Sequence, residues 1–247
     1  PVHLWGTAVE MDEVMAFAKL RDLAVVEDAA QAIDVRYRGR HTGTFGQAGA
    51  FSFFADKTIT TAEGGMVVTD DDQIYQRLML LRNQGRLDRG SFIHPEVGYN
   101  FRITDMQAAV GLVQLDKLDE IKRRKARILR WYKDGLAGLP QVEFFRPPPG
   151  AEWIPFRMPL LCENAQDLMD YLRSHDIEPR SWFFPLHAQP AFVELARRQL
   201  RGADPKEIFV NAIHAYDRGV CLPTFPQLTE AQAGYVANTI RQFYGAV

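Results

Sequence analysis

The sequence lacks the residues and patterns that mark several large classes of protein. Only two cysteines, Cys162 and Cys221, occur in 247 residues, which excludes a disulfide framework and CxxC zinc or redox sites. Lysine and arginine together number 29 against 31 aspartates and glutamates, so no basic excess is available to neutralise nucleic-acid phosphates. No apolar run approaches the ~18 residues that a membrane span requires. We therefore expect neither nucleic acid nor a membrane as the main partner.

Two further kinds of site also lack their patterns. The six histidines show no HxxxH spacing, so we expect no metal site. The pair Gly64-Gly65 is not part of a GxGxxG fingerprint, which argues against dinucleotide binding. No initiator methionine and no signal-peptide pattern precede the structured, apolar opening at Pro1. We therefore expect a cytoplasmic protein and a chain that starts inside a longer one.

The sequence does have the composition and the patterning of a globular α/β protein. Hydrophobic residues make up 47% and charged residues 24%, which is ordinary for a folded domain. In the first half, short apolar runs alternate with amphipathic segments, as is typical of α/β architecture. After Pro147–Gly150 the pattern changes to α+β. Strands are predicted over 23–28, 48–54, 66–69, 154–161, 181–184 and 220–222, and helices over 10–22, 73–82, 104–129, 165–175, 190–200, 205–216 and 229–244.

Three residues lie where open α/β sheets place their ligands. Asp28 ends a predicted strand, and Ser52 lies on another; the carboxyl ends of such strands form the binding crevice. Lys57 follows shortly after, between the apolar Phe51–Phe54 and the pair Gly64-Gly65. An amine held near a ligand in a dry pocket is a nucleophile suited to Schiff-base chemistry. The alternative is that Asp28 and Lys57 are simply exposed loop charges, and these properties alone favour neither.

Longer stretches around these residues closely resemble one family. Val25–Ala32 and Phe51–Val67 resemble the DegT/DnrJ/EryC1/StrS family, the pyridoxal-5'-phosphate-dependent sugar aminotransferases of aspartate-aminotransferase fold (fold type I). Each of the shorter matches is weak alone, but their shared order along essentially the whole chain is specific. They are Pro1–Gly6, Leu81–Gly85, Gly98–Arg102, Pro185–Pro190 and Leu222-Pro223.

The resemblance implies a role for each of five residues. Lys57 would bind pyridoxal 5'-phosphate covalently and would shuttle the proton during catalysis. Asp28 would pair with the protonated ring nitrogen, which makes the ring an electron sink. Gln31 would lie near the ring and its phenolic oxygen, and Ser52 would donate to the phosphate. Asn100 would reach the phosphate of the neighbouring subunit's cofactor, which implies a homodimer with shared sites.

Each of these side chains also has a purely structural explanation. Asp28 could cap a helix, and Gln31 could be a surface residue. Ser52 could be a strand hydroxyl with its own hydrogen bond, and Asn100 could be a turn former. His187 could contact substrate at the mouth of the site or pack as a structural histidine, and the sequence favours neither.

At Asp56 and at Ala62 the sequence differs from the residues that are commonest in the family. A glycine usually stands where Ala62 precedes Glu63, so the Cβ of Ala62 would strain a left-handed turn. The presence of Lys57 argues against the dehydratase branch, in which a histidine replaces the lysine. The sequence around Lys57 most resembles that of the perosamine-synthase-like branch, which aminates the 4-keto carbon of a nucleotide-linked 4-keto-6-deoxyhexose.

The resemblance also implies the architecture. We expect an α/β, aspartate-aminotransferase-like three-layer large domain that is incomplete at its N-terminus, followed by a small α+β C-terminal domain. The segment expected to be missing carries the phosphate-binding turn at a helix N-terminus and the aromatic residue that stacks on the ring. Residues 1–130, including a long bridging helix, are assigned to the large domain, and residues 131–247 to the small one.

The function implied is transfer of an amino group from glutamate or glutamine to a nucleotide-linked keto-deoxy sugar, with pyridoxal 5'-phosphate as cofactor. The alternative is a catalytically silent or regulatory aminotransferase-like fragment that dimerises without binding the cofactor. The sequence identifies neither the sugar nor the nucleotide.

Overall fold

The computed structural model describes residues 1–87, 90 and 92–246, which pack as two compact units. The first unit comprises Pro1–Arg123 and Pro147–Phe156, and the second comprises Arg124–Arg146 and Arg157–Val247. The predicted division at residues 130 and 131 differs from this packing in two ways. The first part of the first unit ends earlier, at Arg123. The unit also includes a later segment of the chain, Pro147–Phe156.

After a short 3-10 helix at Leu4–Gly6, the first unit has a helix, then a run of strands, then a run of helices. They are α1 (Met11–Leu20), β1 (Val26–Asp28), β2 (Arg36–Tyr37), β3 (Arg40–His41), β4 (Ala48–Ser52), β5 (Gly65–Val68), α2 (Asp72–Arg82), α3 (Asp105–Asp116) and α4 (Leu118–Gly135), which continues into the second unit. Strand β4 lies between β1, to which it is parallel, and β5, to which it is antiparallel. Strands β2 and β3 form a separate antiparallel hairpin.

Helix α1 packs one apolar face on the core of the first unit, as its periodicity predicts. Met11 and Ala18 are buried on that face, and Val14 and Met15 between them pack against the same core, as expected for a helix whose apolar residues recur every three to four positions. The predicted helix over 10–22 is thus confirmed. The remaining buried members of this core are Ala8, Val25, Ala32, Val35, Tyr37 and Ile154.

The returning segment Pro147–Phe156 is joined to the start of the chain by hydrogen bonds. The Ile154 amide donates to the Gly6 carbonyl at 2.9 Å, and the Trp153 indole donates to the Trp5 carbonyl at 2.9 Å. A strand predicted over 154–161 is therefore wrong at its beginning. Its first residues pair with the first unit, and the strand itself, β7, starts at Met158.

Side-chain caps fix two helix starts in the first unit. Asp71 accepts hydrogen bonds from the first-turn amides of α2, and Thr104 with Gln107 forms the predicted capping box of α3. Such caps satisfy amides that have no partner inside the helix. The single long helix predicted beyond Thr104 is wrong, because α3 ends at Asp116 and α4 begins at Leu118.

The second unit is built around an antiparallel sheet with strand order β6-β7-β9-β8. Every residue of β9 is buried, and helices α5 and α9 contribute buried apolar faces to the same unit. The predicted helix over 205–216 is interrupted at Phe209. The elements are β6 (Val142–Phe144), β7 (Met158–Cys162), α5 (Ala165–Arg173), β8 (Arg180–Ser181), a 3-10 helix (Leu186–Ala188), α6 (Val193–Gln199), α7 (Pro205–Ile208), α8 (Val210–Arg218), β9 (Gly219–Leu222) and α9 (Glu230–Phe243).

Two buried polar side chains of α4 hold the segment that follows β9. The Tyr132 hydroxyl donates to the Pro223 carbonyl at 2.9 Å, and the Lys125 ammonium donates to the Thr224 carbonyl at 3.2 Å. The two residues are two helical turns apart and therefore share one face of the helix.

Along the described part of the chain, none of the helices combines the length and the apolar character needed to cross a membrane.

Candidate active site

The carboxyl ends of β1 and β4 bring Asp28 and Ser52 to one edge of the sheet. In this parallel pair Asp28 lies opposite Ala50, and Ser52 is two residues further along β4, at its last position. Side chains alternate along a strand, so Asp28 and Ser52 share a face, and strand spacing places their Cα atoms roughly 8 Å apart. The edge is therefore where the sequence predicts a binding crevice.

Asp28 offers a carboxylate oxygen to a ligand at this edge. Its Oδ1 accepts a hydrogen bond from the Ala30 amide at 3.0 Å, whereas Oδ2 has no hydrogen-bond partner among the described residues. The chain turns after Asp28 and enters β2, so this residue does not cap a helix. Asp28 is exposed, and its Oδ2 can accept a proton or a hydrogen bond from a cationic N–H group.

Gln31 and Ser52 each use an oxygen within the protein, which leaves their donors available. The Gln31 Oε1 accepts from the Trp5 amide at 2.9 Å, so the amide group of Gln31 presents its NH₂ donors away from that contact. The Ser52 Oγ accepts from the Phe54 amide at 3.3 Å, and its hydroxyl proton has no acceptor within the residues described. Both side chains can therefore donate to an anionic oxygen.

Lys57 lies in the loop that follows β4, beside an aromatic ring. The loop is closed at its base by the Phe53 amide, which donates to the Gly64 carbonyl at 2.9 Å. The Lys57 side chain is only 17% exposed; its Nζ lies 3.8 Å from the Asp56 Oδ1 and 4.8 Å from the centre of the Phe156 ring. The first distance is too long for a hydrogen bond. The amine is thus partly enclosed, as predicted, and no described residue accepts a hydrogen bond from it.

Phe156 is a residue of this site that the sequence does not indicate. It belongs to the segment that returns to the first unit, far from Lys57 in the sequence. An aromatic face attracts a nearby ammonium group. It forms no covalent bond with the nitrogen, so the amine can still react. Aromatic residues are too common for this one to have been singled out without the fold.

The turn before Glu63 has the left-handed backbone that the sequence comparison predicts. Ala62 has φ +66°, a region that glycine tolerates and that costs other residues about 1–2 kcal/mol. Its amide donates to the Thr60 Oγ1 at 2.9 Å, a local bond that helps to hold the turn. The left-handed backbone expected at this position is therefore confirmed, and the strain stays a prediction.

Asn100 is held by Asn83 and Arg102, which lie in the matched stretches Leu81–Gly85 and Gly98–Arg102 but have no role implied by the resemblance. It forms an isolated antiparallel bridge with Asn83, and its side-chain Oδ1 accepts from the Arg102 Nε at 3.0 Å. The same guanidinium donates through Nη1 to the Asn83 Oδ1 at 3.0 Å. This arrangement fixes the amide of Asn100 so that its NH₂ donors point away from Arg102, and the side chain is exposed.

His187 lies in the second unit, on the 3-10 helix Leu186–Ala188. Its ring is 4.7 Å from the Phe209 ring, at an interplanar angle of 34°. Its Nε2 is buried and makes no hydrogen bond to any residue that the structure describes. A buried ring nitrogen without a partner is unusual, so His187 is not a fully satisfied structural histidine.

Asp28 and Ser52 share one sheet edge, and the other predicted residues of the first unit add hydrogen-bond donors and an amine. Asp28 provides an acceptor for a cationic ring N–H, Gln31, Ser52 and Asn100 provide donors for anionic oxygens, and Lys57 provides an amine for a carbonyl carbon. Pyridoxal 5'-phosphate carries the complementary groups: a ring nitrogen, phenolic and phosphate oxygens, and an aldehyde. The residues therefore fit this cofactor.

No group of three or more His, Cys, Asp or Glu side chains in the described ranges could hold a metal ion.

Comparison with known proteins gives consistent matches over nearly the whole chain. Residues 1–241 match the DegT/DnrJ/EryC1/StrS aminotransferase family. The GDP-perosamine synthase of Escherichia coli O157:H7 is 36% identical over 248 residues, which cover 98% of this chain and 64% of that protein. The dTDP-3-amino-3,4,6-trideoxy-α-D-glucose transaminase of Streptomyces venezuelae is 33% identical and is matched over 98% of this chain and 62% of its own length.

A solved structure gives the same result. The crystal structure of S. venezuelae DesV in complex with a ketimine intermediate superposes with a TM-score of 0.88 at 33% identity, and the match covers 100% of this chain and 65% of DesV. The α/β fold type I predicted from the sequence is thereby confirmed. The chain spans less than two thirds of the length of each of these three proteins.

Proposed function

The chain belongs to the DegT/DnrJ/EryC1/StrS aminotransferase family, and on that basis we propose that its protein is a pyridoxal-5'-phosphate-dependent enzyme that aminates a nucleotide-linked keto sugar. The observation that carries the proposal is Lys57, a partly enclosed amine without a hydrogen-bond acceptor among the described residues, in the loop next to the sheet edge that bears Asp28 and Ser52. The alternative of a fragment without a cofactor finds no support among the relatives.

In this proposal each side chain has one task. Asp28 would accept a hydrogen bond from the N–H of the protonated ring through Oδ2, Gln31 would donate to the phenolic oxygen, and Ser52 would donate to the phosphate. Lys57 would hold the cofactor through Nζ and, when its amine is free, would accept and return a proton at that nitrogen. The bound cofactor supplies an electron sink for the electron pair released when a proton leaves carbon.

The substrate class comes from the names of the relatives. One relative is named for a GDP-linked and another for a dTDP-linked sugar. The proposal is therefore amination of a nucleotide-linked keto-deoxy sugar with glutamate or glutamine as donor, and the perosamine-type 4-keto sugar is the first substrate to test. His187, whose Nε2 lacks a partner in the described part of the chain, is proposed to contact this substrate. The cytoplasmic location stays a prediction.

We also propose that two copies of the protein share their active sites. Helix α3 buries none of its residues, and its large apolar side chains Met106, Val110 and Leu112 are exposed. A group of exposed apolar side chains on one helix is typical of an interface. The exposed amide of Asn100 would then donate to the phosphate of the cofactor bound by Lys57 of the partner subunit.

Reductive labelling tests the cofactor proposal. The full-length protein is mixed with pyridoxal 5'-phosphate, reduced with borohydride and digested, and we expect the modified peptide to contain Lys57. The Lys57→Ala variant should lose the label, and Lys19→Ala, which changes an exposed lysine of α1, should keep it. Glutamate added before reduction should prevent labelling, because the amine form of the cofactor is not attached to the lysine. No label, or a label elsewhere, contradicts the proposal.

A mixing experiment tests the shared site. Lys57→Ala and Asn100→Ala are each expected to be inactive as homodimers. If Asn100 acts across the interface, a mixed dimer of the two variants contains one intact site and recovers activity. If Asn100 acts on its own subunit's cofactor, both sites of the mixed dimer carry one defect, and mixing recovers nothing.

A further inference from the structure

A buried histidine–carboxylate pair lies directly behind the proposed ring-nitrogen contact. His3 and Glu27 are both fully buried, and the His3 Nε2 is 3.0 Å from the Glu27 Oε2. Glu27 immediately precedes Asp28 in β1, and consecutive side chains of a strand point to opposite faces. The pair therefore lies on the buried face of β1, and Asp28, the next residue, points to the exposed face. Neither His3 nor Glu27 has a part in the proposed chemistry.

The hydrogen bonds determine which nitrogen of His3 carries the proton. The Val9 amide donates to the His3 Nδ1 at 3.2 Å, and a backbone amide can only donate. The Nδ1 is therefore unprotonated, and the proton resides on Nε2, which donates it to Glu27. His3 is a neutral imidazole that links the Val9 backbone to the carboxylate of β1.

Glu27 also accepts hydrogen bonds from three backbone amides of the loop that leads into β4. Gly43 donates to Oε2 at 2.7 Å, while Phe45 and Gly46 donate to Oε1 at 2.5 and 2.8 Å. A Cβ at Gly46 would lie 2.2 Å from the Val25 carbonyl oxygen, so only glycine allows the loop to approach this closely. Burial raises the pKa of Glu27, but the His3 bond and the three amide bonds outweigh it and hold the pKa below its usual value.

The opening segment of the chain also holds the two proposed ring contacts directly. The Asp28 amide donates to the Pro1 carbonyl, and the Asp28 carbonyl accepts from the His3 amide, both at 2.9 Å. The Trp5 amide donates to the Gln31 Oε1 at 2.9 Å. Pro1, His3 and Trp5 thus fix the backbone of Asp28 and the side-chain orientation of Gln31.

We infer that His3 and Glu27 are positioning residues for the cofactor ring: together they fix the end of β1 and the loop before β4, and so set where the Asp28 carboxylate meets the ring nitrogen. The inference rests on the proposed function, because it requires the ring nitrogen to meet Asp28. A displacement of a reacting group by about 1 Å can cost on the order of a hundredfold in rate, so a small shift of β1 has a measurable effect.

Two substitutions at His3 separate positioning from general stability. The amide of Gln reaches the place of Nε2 and can still donate to Glu27, whereas the shorter Asn reaches only the place of Nδ1. In the full-length protein loaded with pyridoxal 5'-phosphate, we expect His3→Asn to shift the pH midpoint of the cofactor's visible absorbance. It should also lower kcat by about tenfold to a hundredfold with KM for the sugar little changed. His3→Gln should recover most of both.

The control is Glu13→Gln on the exposed side of α1, which should match the wild type in both readouts. The inference is overturned if His3→Asn lowers only the melting temperature and leaves both the absorbance midpoint and kcat unchanged, or if His3→Gln is as defective as His3→Asn. If the wild type takes no label on Lys57, the proposed function itself fails. That result differs from a labelled wild type whose His3 variants are spectroscopically normal.

A measurement on the wild type keeps the inference testable if His3→Asn does not fold. With ¹⁵N-labelled histidine, NMR should show a protected Nε2–H and an unprotonated Nδ1 for His3, and addition of pyridoxal 5'-phosphate should shift this resonance. The opposite tautomer, or a His3 signal unaffected by a cofactor that does label Lys57, overturns the inference.

Discussion

Glu27 in the first unit and Lys125 in the second are both almost completely enclosed, but burial has opposite consequences for the two charges. Four hydrogen bonds, from His3 and from three backbone amides, stabilise the Glu27 carboxylate, so its pKa lies below the usual value despite burial. Lys125 donates to the Thr224 carbonyl, yet burial lowers its pKa to about 8. The charged form is therefore favoured at Glu27 and disfavoured at Lys125.

The difference shows that the polar groups around a buried charge, rather than the depth of burial, decide its effect. The backbone around Glu27 presents its N–H groups inward, as a preformed site for an anion does. At Lys125 desolvation of the ammonium outweighs what its contacts return. Glu27 should therefore stabilise the fold when it is ionised, and Lys125 should stabilise it more when it is neutral.

Removal of the Glu27 carboxylate is expected to have the largest effect on stability. Glu27→Ala leaves His3 and three backbone amides without their acceptor and should lower the free energy of unfolding by about 3–5 kcal/mol. Urea unfolding of the full-length protein at pH 7 measures the loss. Glu13→Ala, an exposed carboxylate on α1, should stay within about 0.5 kcal/mol, and an equal loss in both variants would contradict the comparison.

The pH dependence of Glu27 follows from the sign of its pKa shift. The folded state binds the proton less tightly than the unfolded chain, whose carboxylate has the ordinary pKa of 4.5. The stabilisation is therefore fully present above that pKa and is lost as the pH falls through it and below. The difference in unfolding free energy between wild type and Glu27→Ala should shrink in this acidic range.

The two cysteines of the second unit extend the comparison to groups that burial keeps neutral. Burial raises the pKa of both Cys162 and Cys221 from 9 to about 12, which reduces the thiolate fraction at pH 8 by about a thousandfold. Labelling with a thiol reagent should be slower by at least that factor in the native protein than in denaturant. Rapid labelling of the native protein would mean that this sheet is less enclosed than the structure indicates.

Replacement of Lys125 should produce a pH-dependent effect of the same sign as that of Glu27 but in the alkaline range, because folding lowers the pKa of both groups. Between pH 8 and 10.5 the unfolded chain holds a proton on this lysine that the folded state has released, so stability rises with pH. Relative to Lys125→Met, the wild type should gain up to about 3 kcal/mol over this range. Lys133→Met, an exposed position of the same helix, should show no such trend in denaturant unfolding, and a flat difference for Lys125→Met would refute the prediction.

The smallest expected effect concerns backbone strain rather than buried charge. Ala62, in the loop that carries Lys57, has a left-handed backbone, so Ala62→Gly should raise the free energy of unfolding by about 1 kcal/mol. Ala55→Gly in the same loop, where φ is not positive, should lower it by about 0.5–1 kcal/mol. Thermal unfolding compares the two, and a loss of stability in Ala62→Gly would show that the turn is not strained.

The local features of the candidate site follow from the sequence because they depend on neighbouring residues. The apolar run that ends at Asp28 and the run that contains Ser52 predict two strands whose ends meet, and the capping residue Thr104 predicts the start of α3. The left-handed turn at Ala62 follows from the resemblance to a family that usually has glycine there. In each case a few adjacent residues determine the backbone.

The features that the sequence does not reveal all depend on contacts between distant segments. His3 and Glu27 are 24 positions apart, and nothing in either neighbourhood indicates that one will donate to the other. Phe156 reaches Lys57 only because Pro147–Phe156 returns to the first unit. The break between α3 and α4 at Lys117 also goes unpredicted, since no glycine or proline marks it and tertiary packing overrides local preference.

The return of Pro147–Phe156 to the first unit has a consequence for anyone who wishes to study the two units apart. Because this short segment provides partners for Trp5 and Gly6, a single cut in the gene after Arg123 would remove from the first unit a segment that packs within it. Separate production of that half requires a spliced or circularly permuted gene in which residues 147–156 follow Arg123 through a new linker.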